Sequence, residues 1–361
     1  MRKFVFLTFV ILFLAGCAAP ATPEPNVSEP GGQGNELAGS TIHVFNWGYF
    51  INPVVLEMFE EEFGINVIYS EYESNEQMYT MVAIGGNVYD VLFPSDYMIY
   101  RMIAEGLLRP INFDNVPNMV HVNPQILGMA FDPENIYSAP YKWGSVGILY
   151  NTTMVGEPVY SWASMWNENY AGQIFMYNSE RDAFVPAFRM LGYSINTTDE
   201  GEINRARDLL IEQSPLVLAY VTDQVMDFMI GGEGAKALVY SGDAVFSINY
   251  NPDLNYVIPV EGSNMWVDSM VIPHNANNPE AAEIFINFML RPEIAALNTN
   301  FIGYTTANIT AIEQGLVDQH LLDTPGFFVT PEEYERLEVF VDLGEYRGLI
   351  STAFTTVLAS N

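Results

Sequence analysis

Residues 41–69 read TIHVFNWGYFINPVVLEMFEEEFGINVIY, and this stretch indicates the fold class. Its first residues, 41–45, are mostly β-branched or aromatic, which is typical of a short strand. Asn52 and Pro53 then supply an N-cap and a first helical position, and apolar residues follow at helical spacing until Gly64, a residue type that ends helices. The last five residues predict a second strand, which completes a β-α-β unit.

The same alternation continues along the chain. Residues 75–84 have helical character and precede two glycines, and residues 91–93 predict a third strand that ends at a Pro-Ser pair. Strands that alternate with helices of this length indicate an α/β fold with a mainly parallel sheet flanked by helices. Such sheets bind ligands beyond the carboxyl ends of their strands, so we expect a binding edge at loops 46–50 and 94–97.

A second set of elements begins near residue 145. The predicted strands are 145–151, 237–240 and 257–260, and the predicted helices are 203–211, 224–230 and 279–290. A chain of 361 residues suits one large domain or two medium ones around proper cores.

The chain is strongly acidic. Its 13 Lys and Arg residues stand against 44 Asp and Glu residues, which gives a formal net charge of −31. This balance excludes nucleic acid as a partner, because phosphate binding needs a basic surface. Hydrophobic residues make up 49% and aromatic residues 14% of the chain, which is too apolar for a disordered acidic segment. The sequence therefore predicts a folded acidic protein.

The N-terminus predicts export. Two basic residues precede an apolar run at 4–14, and the single cysteine, Cys17, follows Leu-Ala-Gly. This order describes a secretory signal, and Leu-Ala-Gly-Cys resembles the bacterial lipoprotein signal. We predict a signal peptide at 1–16 and a lipidated, flexible tether at 17–40. The alternative is a buried N-terminal helix with an inert thiol.

The motifs of common enzyme classes are missing from the sequence. The four histidines are scattered, and there is no HExxH pair, GxSxG elbow, phosphate-binding loop or GxGxxG after a predicted strand. One cysteine allows neither an intrachain disulfide nor a CxxC pair. The sequence therefore predicts no catalytic residues, no metal site and no cofactor.

Acids and aromatic residues stand together at several predicted strand ends, in the segments 46–50, 95–97, 240–243 and 266–268. Aromatic faces attract ammonium groups and their methylenes, and carboxylates accept strong hydrogen bonds from ammonium groups. Each aromatic taken alone is equally consistent with core packing, and each acid alone is more typical of a solvated loop. The repeated pairing favours a site for an organic cation.

Short motifs spread along the chain carry a resemblance to a known family. They are Phe45-Asn46-Trp47, residues 63–70 and 72–76, Tyr89-Asp90 with Pro94-Ser95, Pro140-Tyr141 with Trp143-Gly144, residues 189–194 and 196–199, residues 266–269, residues 287–292 and Ile302-Gly303-Tyr304. In this order they resemble the spermidine/putrescine-binding proteins of bacterial ABC importers, over nearly the whole chain after the tether.

The resemblance implies a two-lobed periplasmic-binding-protein fold of type II, whose lobes close on a ligand in the cleft between them. We assign residues 41–144 and 267–312 to lobe 1 and residues 145–266 and 313–361 to lobe 2. The implied function is a receptor that binds putrescine or spermidine and delivers it to an ABC permease. We expect a monomer that is exported and reaches the membrane only through its lipid anchor.

The resemblance also implies site residues in the first lobe and at the crossover. Trp47 is expected to line the polyamine, and Ser95 and Tyr97 to contact it from the first lobe. Trp266 and Asp268 are the expected central aromatic and carboxylate.

Five further positions are implied around the second lobe. Asp182 stands where the family places a glutamate that meets an ammonium group, and Tyr240 stands in place of a tryptophan. Asp243 matches an aspartate of the putrescine-selective members, and Tyr304 matches a cleft tyrosine. Thr222 stands near a polar contact.

The sequence departs from the family pattern at three places. Gly48-Tyr49 stands where relatives often carry an acid, Phe50 replaces a tyrosine in the cleft, and Ser179 stands where spermidine binders have an aspartate. Asp96 and Asp243 are the expected replacements for the two missing carboxylates. The choice between putrescine and spermidine therefore stays open.

Two other functions stay open at this point. One is a related receptor for a ferric ion, a sugar or an amino-acid-like solute, and the other is a secreted enzyme or adhesin on the same scaffold. A ferric site would need adjacent tyrosines with His or carboxylate ligands, and an anion site would need arginines in the cleft.

Overall fold

The computed structural model describes residues 37–84 and 88–361. The predicted signal peptide, Cys17 and most of the predicted tether lie outside the described residues. Within the described ranges, the structure contains no helix with the length and apolar character that a membrane crossing requires.

The first unit has the predicted β-α-β form. Strand β1 (Thr41–Trp47) leads into helix α1 (Pro53–Phe63) and strand β2 (Asn66–Tyr72). The side chain of Asn52 accepts a hydrogen bond from a first-turn amide of α1 at 3.1 Å. Gly64 ends the helix with a φ of 66°, a left-handed conformation that costs glycine little. Both capping signals read from the sequence are confirmed.

Strand β1 lies between two parallel neighbours. Helix α2 (Asn75–Ile84), strand β3 (Val91–Leu92) and helix α3 (Asp96–Ala104) follow β2 along the chain. Strand β1 pairs in parallel with β2 on one side and with β3 on the other. The loops that follow β1 and β3 therefore meet at one edge of the sheet.

The next part of the chain repeats this arrangement. In chain order its elements are β4 (Ser138–Asn151), β5 (Ile174–Tyr177), α4 (Val185–Met190), α5 (Glu200–Gln213), β6 (Val217–Val221), α6 (Gln224–Ile230), β7 (Lys236–Tyr240), α7 (Ser241–Tyr250) and β8 (Leu254–Val257). Strand β5 pairs in parallel with β6 and β7, whereas β4 is antiparallel to β7 and β8.

One predicted strand is misplaced. The sequence predicts a strand at 257–260, but β8 ends at Val257. Pro259 has no backbone N–H to donate to a ladder, and the amide of Val260 donates instead to the carbonyl of Tyr160 at 2.9 Å. The apolar run therefore leaves the sheet at the proline.

The last part of the chain begins with a long strand and continues mostly as helices. The elements are β9 (Ser263–Val271), α8 (Pro279–Met289), α9 (Pro292–Ile302), α10 (Ile309–Glu313), α11 (Gln319–Leu322), α12 (Pro331–Tyr334), β10 (Leu337–Val339) and α13 (Arg347–Leu358).

The described strands form a continuous mixed sheet in the order β2-β1-β3-β9-β4-β7-β5-β6, with β10 beside β9 and β8 beside β4. Three parallel strands stand at each end of this order. The long strands β9 and β4 run antiparallel to each other between them. Each half thus has the predicted parallel sheet, and the antiparallel pair connects the halves.

Two separate hydrophobic cores lie on either side of this connection. The buried residues of the first core come from residues 42–143 and 265–307, and those of the second from residues 146–238 and 340–357. Each core has its own strands and helices, so the described chain has two lobes of the α/β class.

The residues after 310 contact both lobes. Val317, Leu321 and Phe327 pack with alanines of α9 and with Val245 of α7. Helix α13 packs on α5 in the second lobe, and β10 adds a parallel strand to β9. The boundaries assigned to the two lobes stay a prediction.

Candidate ligand-binding site

The crossover strand β9 brings Asp268 to the edge formed by β1 and β3. Ser95, just after β3, forms an isolated antiparallel bridge with Asp268. Its hydroxyl donates to the Asp268 carboxylate at 2.7 Å. Asp268 is 6% exposed. Two residues that are 173 positions apart are thus joined by a direct hydrogen bond.

Trp47 is fixed at the end of β1. Its indole N–H donates to the carbonyl of Phe93 at 2.8 Å, and its ring lies 4.7 Å from the ring of Tyr72. Tyr72 is buried, and its hydroxyl donates to the same carbonyl at 2.7 Å. The tryptophan therefore has a defined orientation before any ligand binds.

Tyr304 stands at the centre of the predicted aromatic residues. Its ring makes edge contacts with Trp266 at 5.5 Å and with Phe50 at 5.7 Å between centroids. Its hydroxyl donates to the carboxylate of Asp243 at the start of α7. The ring also lies directly over Gly242, where an added Cβ would stand 2.4 Å from it. This contact needs a glycine.

Asp182 is held by two hydroxyl groups of the second lobe. Ser179 and Tyr240 donate to the same carboxylate oxygen at 2.6 and 2.8 Å. The ring of Tyr240 makes edge contacts with Tyr177 at 5.0 Å and with Trp266 at 6.2 Å. The side chains of Asp182, Tyr240 and Trp266 therefore form a continuous series of contacts.

Trp266 links the groups around Asp243 and Asp182. Its ring is 8% exposed and packs against the backbone of Gly144, where an added Cβ would stand 2.6 Å from the indole. Its indole N–H is buried and has no hydrogen-bond partner among the residues that the structure describes. A buried donor without a hydrogen-bond partner costs free energy. Such donors are rare in folded proteins, and a functional role is one explanation for them.

Burial dominates the electrostatics of the three central aspartates. It raises the pKa of Asp243 and that of Asp268 to about 7, although the hydroxyls of Tyr304 and Ser95 lower each one. Burial likewise raises the pKa of Asp182, against the opposing effects of Ser179, Tyr240 and Arg181. None of the ion pairs among residues 37–84 and 88–361 includes any of the three. None of these three carboxylates is therefore ion-paired among the described residues.

Asp96 is arranged differently from the other predicted acids. One of its carboxylate oxygens accepts the N–H of Tyr97 at 2.6 Å, and the other accepts the N–H of Val267 at 3.2 Å. It is 1% exposed, and burial raises its pKa well above the ordinary value. Its hydrogen bonds join the start of α3 to β9, so backbone amides occupy the oxygens.

Tyr97 and Thr222 lie at the margins of the cluster. Tyr97 packs against both hydrophobic cores, and its hydroxyl donates to Glu76 at 3.0 Å. Thr222 follows β6, and its hydroxyl donates to the side chain of Gln224 at 3.0 Å. Within the described ranges, no hydrogen bond joins Thr222 to another predicted site residue.

The structure adds residues that the sequence reasoning missed. Tyr177 is the last residue of β5 and packs on Tyr240, so the strand-end rule was sufficient to find it. Tyr72 fixes Trp47, and Arg181 is a partly buried cation next to Asp182. Nothing in the sequence near Tyr72 or Arg181 distinguishes them from core or surface residues.

The donor set does not form a metal centre. Within the part of the chain that the structure describes, no group of three or more His, Cys, Asp and Glu residues could hold a metal ion. The cluster instead combines separate carboxylates with tyrosine and tryptophan rings, which are suited to an organic cation.

Known proteins are similar to this chain in sequence and in fold. It is 38% identical over 274 residues to the spermidine/putrescine-binding periplasmic protein of Escherichia coli, which covers 75% of this chain and 79% of that protein. It is 29% identical over 363 residues to the putrescine-binding periplasmic protein SpuD of Pseudomonas aeruginosa, with 95% of each chain covered.

A solved structure supports the same relationship. The spermidine/putrescine ABC transporter substrate-binding protein PotD of Streptococcus pneumoniae superposes with a TM-score of 0.82 at 36% sequence identity, over 89% of this chain and 99% of that chain. The two-lobed periplasmic-binding-protein fold is therefore confirmed. The sequence profile of the bacterial extracellular solute-binding proteins matches residues 55–321. The chain belongs to the family of bacterial extracellular solute-binding proteins.

Proposed function

We propose that this protein is an exported receptor that binds a polyamine, putrescine or spermidine, between its lobes. One observation carries the proposal: Asp182, Asp243 and Asp268 are buried, and their hydrogen-bond partners are hydroxyl groups rather than cations. Buried carboxylates are costly without positive charge. A linear di- or triamine supplies separate ammonium groups that separate acids can meet.

The aromatic residues complete the chemistry of such a site. The ring of Trp266 is in edge contact with the rings of Tyr240 and Tyr304 beside these acids. Ring faces hold methylene groups and attract ammonium groups, worth about 0.5–2 kcal/mol for each cation–π contact. A sugar offers neither the charge nor the linear methylene chain that this arrangement fits.

Capture without chemistry is the mechanism that follows. The polyamine enters between the lobes, its methylenes lie against Trp47, Tyr240 and Trp266, and its ammonium groups meet the three aspartates. The lobes then close around the ligand, and contacts between them that the structure already contains, such as Tyr304 over Gly242, stabilise the closed form. We assign no catalytic step and no cofactor to the site.

The remaining predicted residues take supporting roles in this proposal. Ser95 orients Asp268, and Phe50 supports Tyr304. We assign Asp96 to fixing the start of α3 to β9, because each of its oxygens accepts a backbone amide. Thr222 stays a proposed polar contact from the second lobe.

The relatives support the wider role. Proteins named as spermidine/putrescine-binding and putrescine-binding share up to 38% identity with this chain. We propose that the receptor delivers its ligand to an ABC permease and that Cys17 anchors it as a lipoprotein outside the cell membrane. The lobe boundaries given above and the monomeric state belong to the same proposal.

Ligand titration tests the proposal directly. Putrescine, cadaverine, spermidine and spermine are compared by calorimetry and thermal unfolding with glucose, glutamate and ferric ion. A polyamine at about 100 times its Kd should stabilise the protein by about 2.7 kcal/mol and raise Tm by about 3–5 °C. No shift with any polyamine, or a shift with the other solutes instead, contradicts the proposal.

A further inference from the structure

Arg181 is a partly buried cation next to Asp182, and the binding mechanism above does not use it. Its guanidinium donates to the carbonyl of Val341 at 3.1 Å, to the carbonyl of Ile195 at 3.4 Å and to the side chain of Asn196 at 2.9 Å. The carbon at the centre of the guanidinium lies 4.1 Å from the centre of the Phe340 ring. These contacts hold the side chain in one place.

The C-terminal segment 339–341 is the main partner of this arginine. The side chain of Asn196 donates to the carbonyl of Val339 at 2.9 Å and accepts the amide of Val341 at 3.0 Å. Arg181 and Asn196 therefore both form hydrogen bonds with the same short segment. The segment begins at Val339, the last residue of β10, which is paired with β9 just before Trp266. The loop that carries Ser179 and Asp182 is thus fastened to the crossover region.

The charge of Arg181 acts on the cleft from a short distance. The charged and titratable groups that face it are Asp182, Asp96, Tyr97 and Glu180. Its guanidinium lowers the pKa of Asp182 and that of Asp96, against the larger effect of burial. It forms none of the ion pairs found among the described residues. The carboxylate of Asp182 therefore stays free to meet a ligand.

We propose that Arg181 is a positioning residue of the polyamine site, which fastens the Asp182 loop to the C-terminal segment and supplies a fixed positive charge behind Asp182. This inference rests on the proposed function, because it concerns the same site. A cation next to Asp182 is otherwise out of place in a site for cations. The hydrogen bonds of Arg181 go to two backbone carbonyls and to Asn196, and its positive charge acts on the carboxylate of Asp182.

Arg189 offers a matched control. It is also partly buried, donates to the carbonyl of Glu261 at 3.0 Å and pairs with Glu338 in β10. It therefore ties the same C-terminal region to the second lobe, and none of the shifts of Asp182, Asp243 or Asp268 includes it as a cause. Arg181→Met and Arg189→Met remove comparable side chains.

The test compares affinity with stability. We expect both variants to unfold at lower temperature, whereas Arg181→Met weakens putrescine binding about tenfold and Arg189→Met changes it less than about twofold. As the pH is lowered, the putrescine affinity of Arg181→Met should begin to fall at a higher pH than that of the wild type. The reason is that Asp182 protonates more readily once the guanidinium is removed. Equal losses of affinity in the two variants overturn the inference.

A double-mutant cycle identifies the residue through which Arg181 acts. In an Asp182→Asn background, Arg181→Met should change the affinity by less than about twofold, since no carboxylate is left to influence. Undiminished weakening in that background means a merely structural role.

The same cycle measured on the unfolding free energy of the ligand-free protein needs no polyamine. If the wild type binds no polyamine, the proposed function fails, and the unfolding cycle still decides the link between Arg181 and Asp182. If the wild type binds and the unfolding cycle is additive, the inference about Arg181 fails alone.

Discussion

At the scale of single residues, the proposed site contains acids whose hydrogen-bond partners are hydroxyl groups, which cannot neutralise them. Asp268 and Asp243 each accept a hydrogen bond from a hydroxyl group. Hydroxyl donors partly compensate the loss of water around a carboxylate, but burial still raises the pKa of both acids to about 7. The ionised site is therefore destabilising to the protein alone and favourable to a cationic ligand.

Asp268→Asn separates these two effects. The variant should weaken putrescine binding by about 10- to 150-fold, because a charge-assisted hydrogen bond of about 1.5–3 kcal/mol is lost. The unfolding free energy of the ligand-free variant at about pH 8 should equal or exceed that of the wild type, since a buried negative charge is removed. Calorimetry and denaturant unfolding measure the two quantities.

Asp253→Asn is the control for this substitution, since Asp253 is an exposed acid of the second lobe. It should leave both quantities unchanged within about 0.5 kcal/mol. A strong loss of stability in Asp268→Asn with unchanged affinity would assign Asp268 to the fold rather than to the site.

The raised pKa values of Asp243 and Asp268 predict that binding depends on pH. An aspartate with a raised pKa in the folded protein holds its proton up to about pH 7, and an ammonium ligand prefers the deprotonated form. Putrescine affinity should therefore fall as the pH decreases from about 8 to about 5.5, and binding near pH 7 should release protons. Calorimetry in buffers of different ionisation enthalpy detects this release, and a flat profile contradicts the prediction.

At the scale of elements, the site is assembled from the ends of strands and helices. Asp243 lies in the first turn of α7, directly after β7, and Tyr304 follows the glycine that ends α9. The positive N-terminus of a helix favours a carboxylate, but burial outweighs this effect at Asp243. The positions of the two groups depend on how closely α7 approaches the segment after α9.

Gly242→Ala tests this approach. An added methyl group would stand 2.4 Å from the ring of Tyr304, so the ring must move and lose its hydrogen bond to Asp243. We expect a loss of about 1–3 kcal/mol in unfolding free energy and weaker putrescine binding.

Gly348→Ala is the matched control, because Gly348 also occupies the second position of its helix and has open space around it. It should stabilise the protein by up to about 1 kcal/mol and leave binding unchanged. Equal effects of the two substitutions would show that the contact with Tyr304 is not tight.

At the scale of the whole molecule, charge and connectivity act together. The formal net charge of −31 repels itself across the folded surface and attracts cations over about a Debye length. Strands β4 and β9 cross between the lobes side by side, and β9 carries both Trp266 and Asp268. Movement of the lobes is therefore coupled to the centre of the proposed site.

Salt should have opposite effects on stability and on ligand capture. When the salt concentration rises from about 10 mM to about 150 mM, screening should raise the Tm of the ligand-free protein and slow the association of spermidine. Thermal unfolding and stopped-flow tryptophan fluorescence measure these effects. Faster association at the higher salt concentration contradicts long-range attraction by the acidic surface.

The sequence alone determined the local elements and the type of chemistry. The caps at Asn52 and Gly64 and the alternation of strands and helices act within a few residues, so they are readable without the fold. The family motifs are readable in the same way, because each consists of a few adjacent residues. One strand was misplaced where Pro259 ends the ladder, although the apolar pattern continues.

Only the tertiary structure decided which charges meet. One oxygen of Asp96 accepts an amide 171 positions away, and Arg181 donates to a carbonyl 160 positions away. A sequence shows that such residues are charged, but their partners and burial come from segments that approach only in the folded chain. Desolvation then sets whether an aspartate is a surface charge or a buried acid that requires a cation, and it depends on all the surrounding atoms.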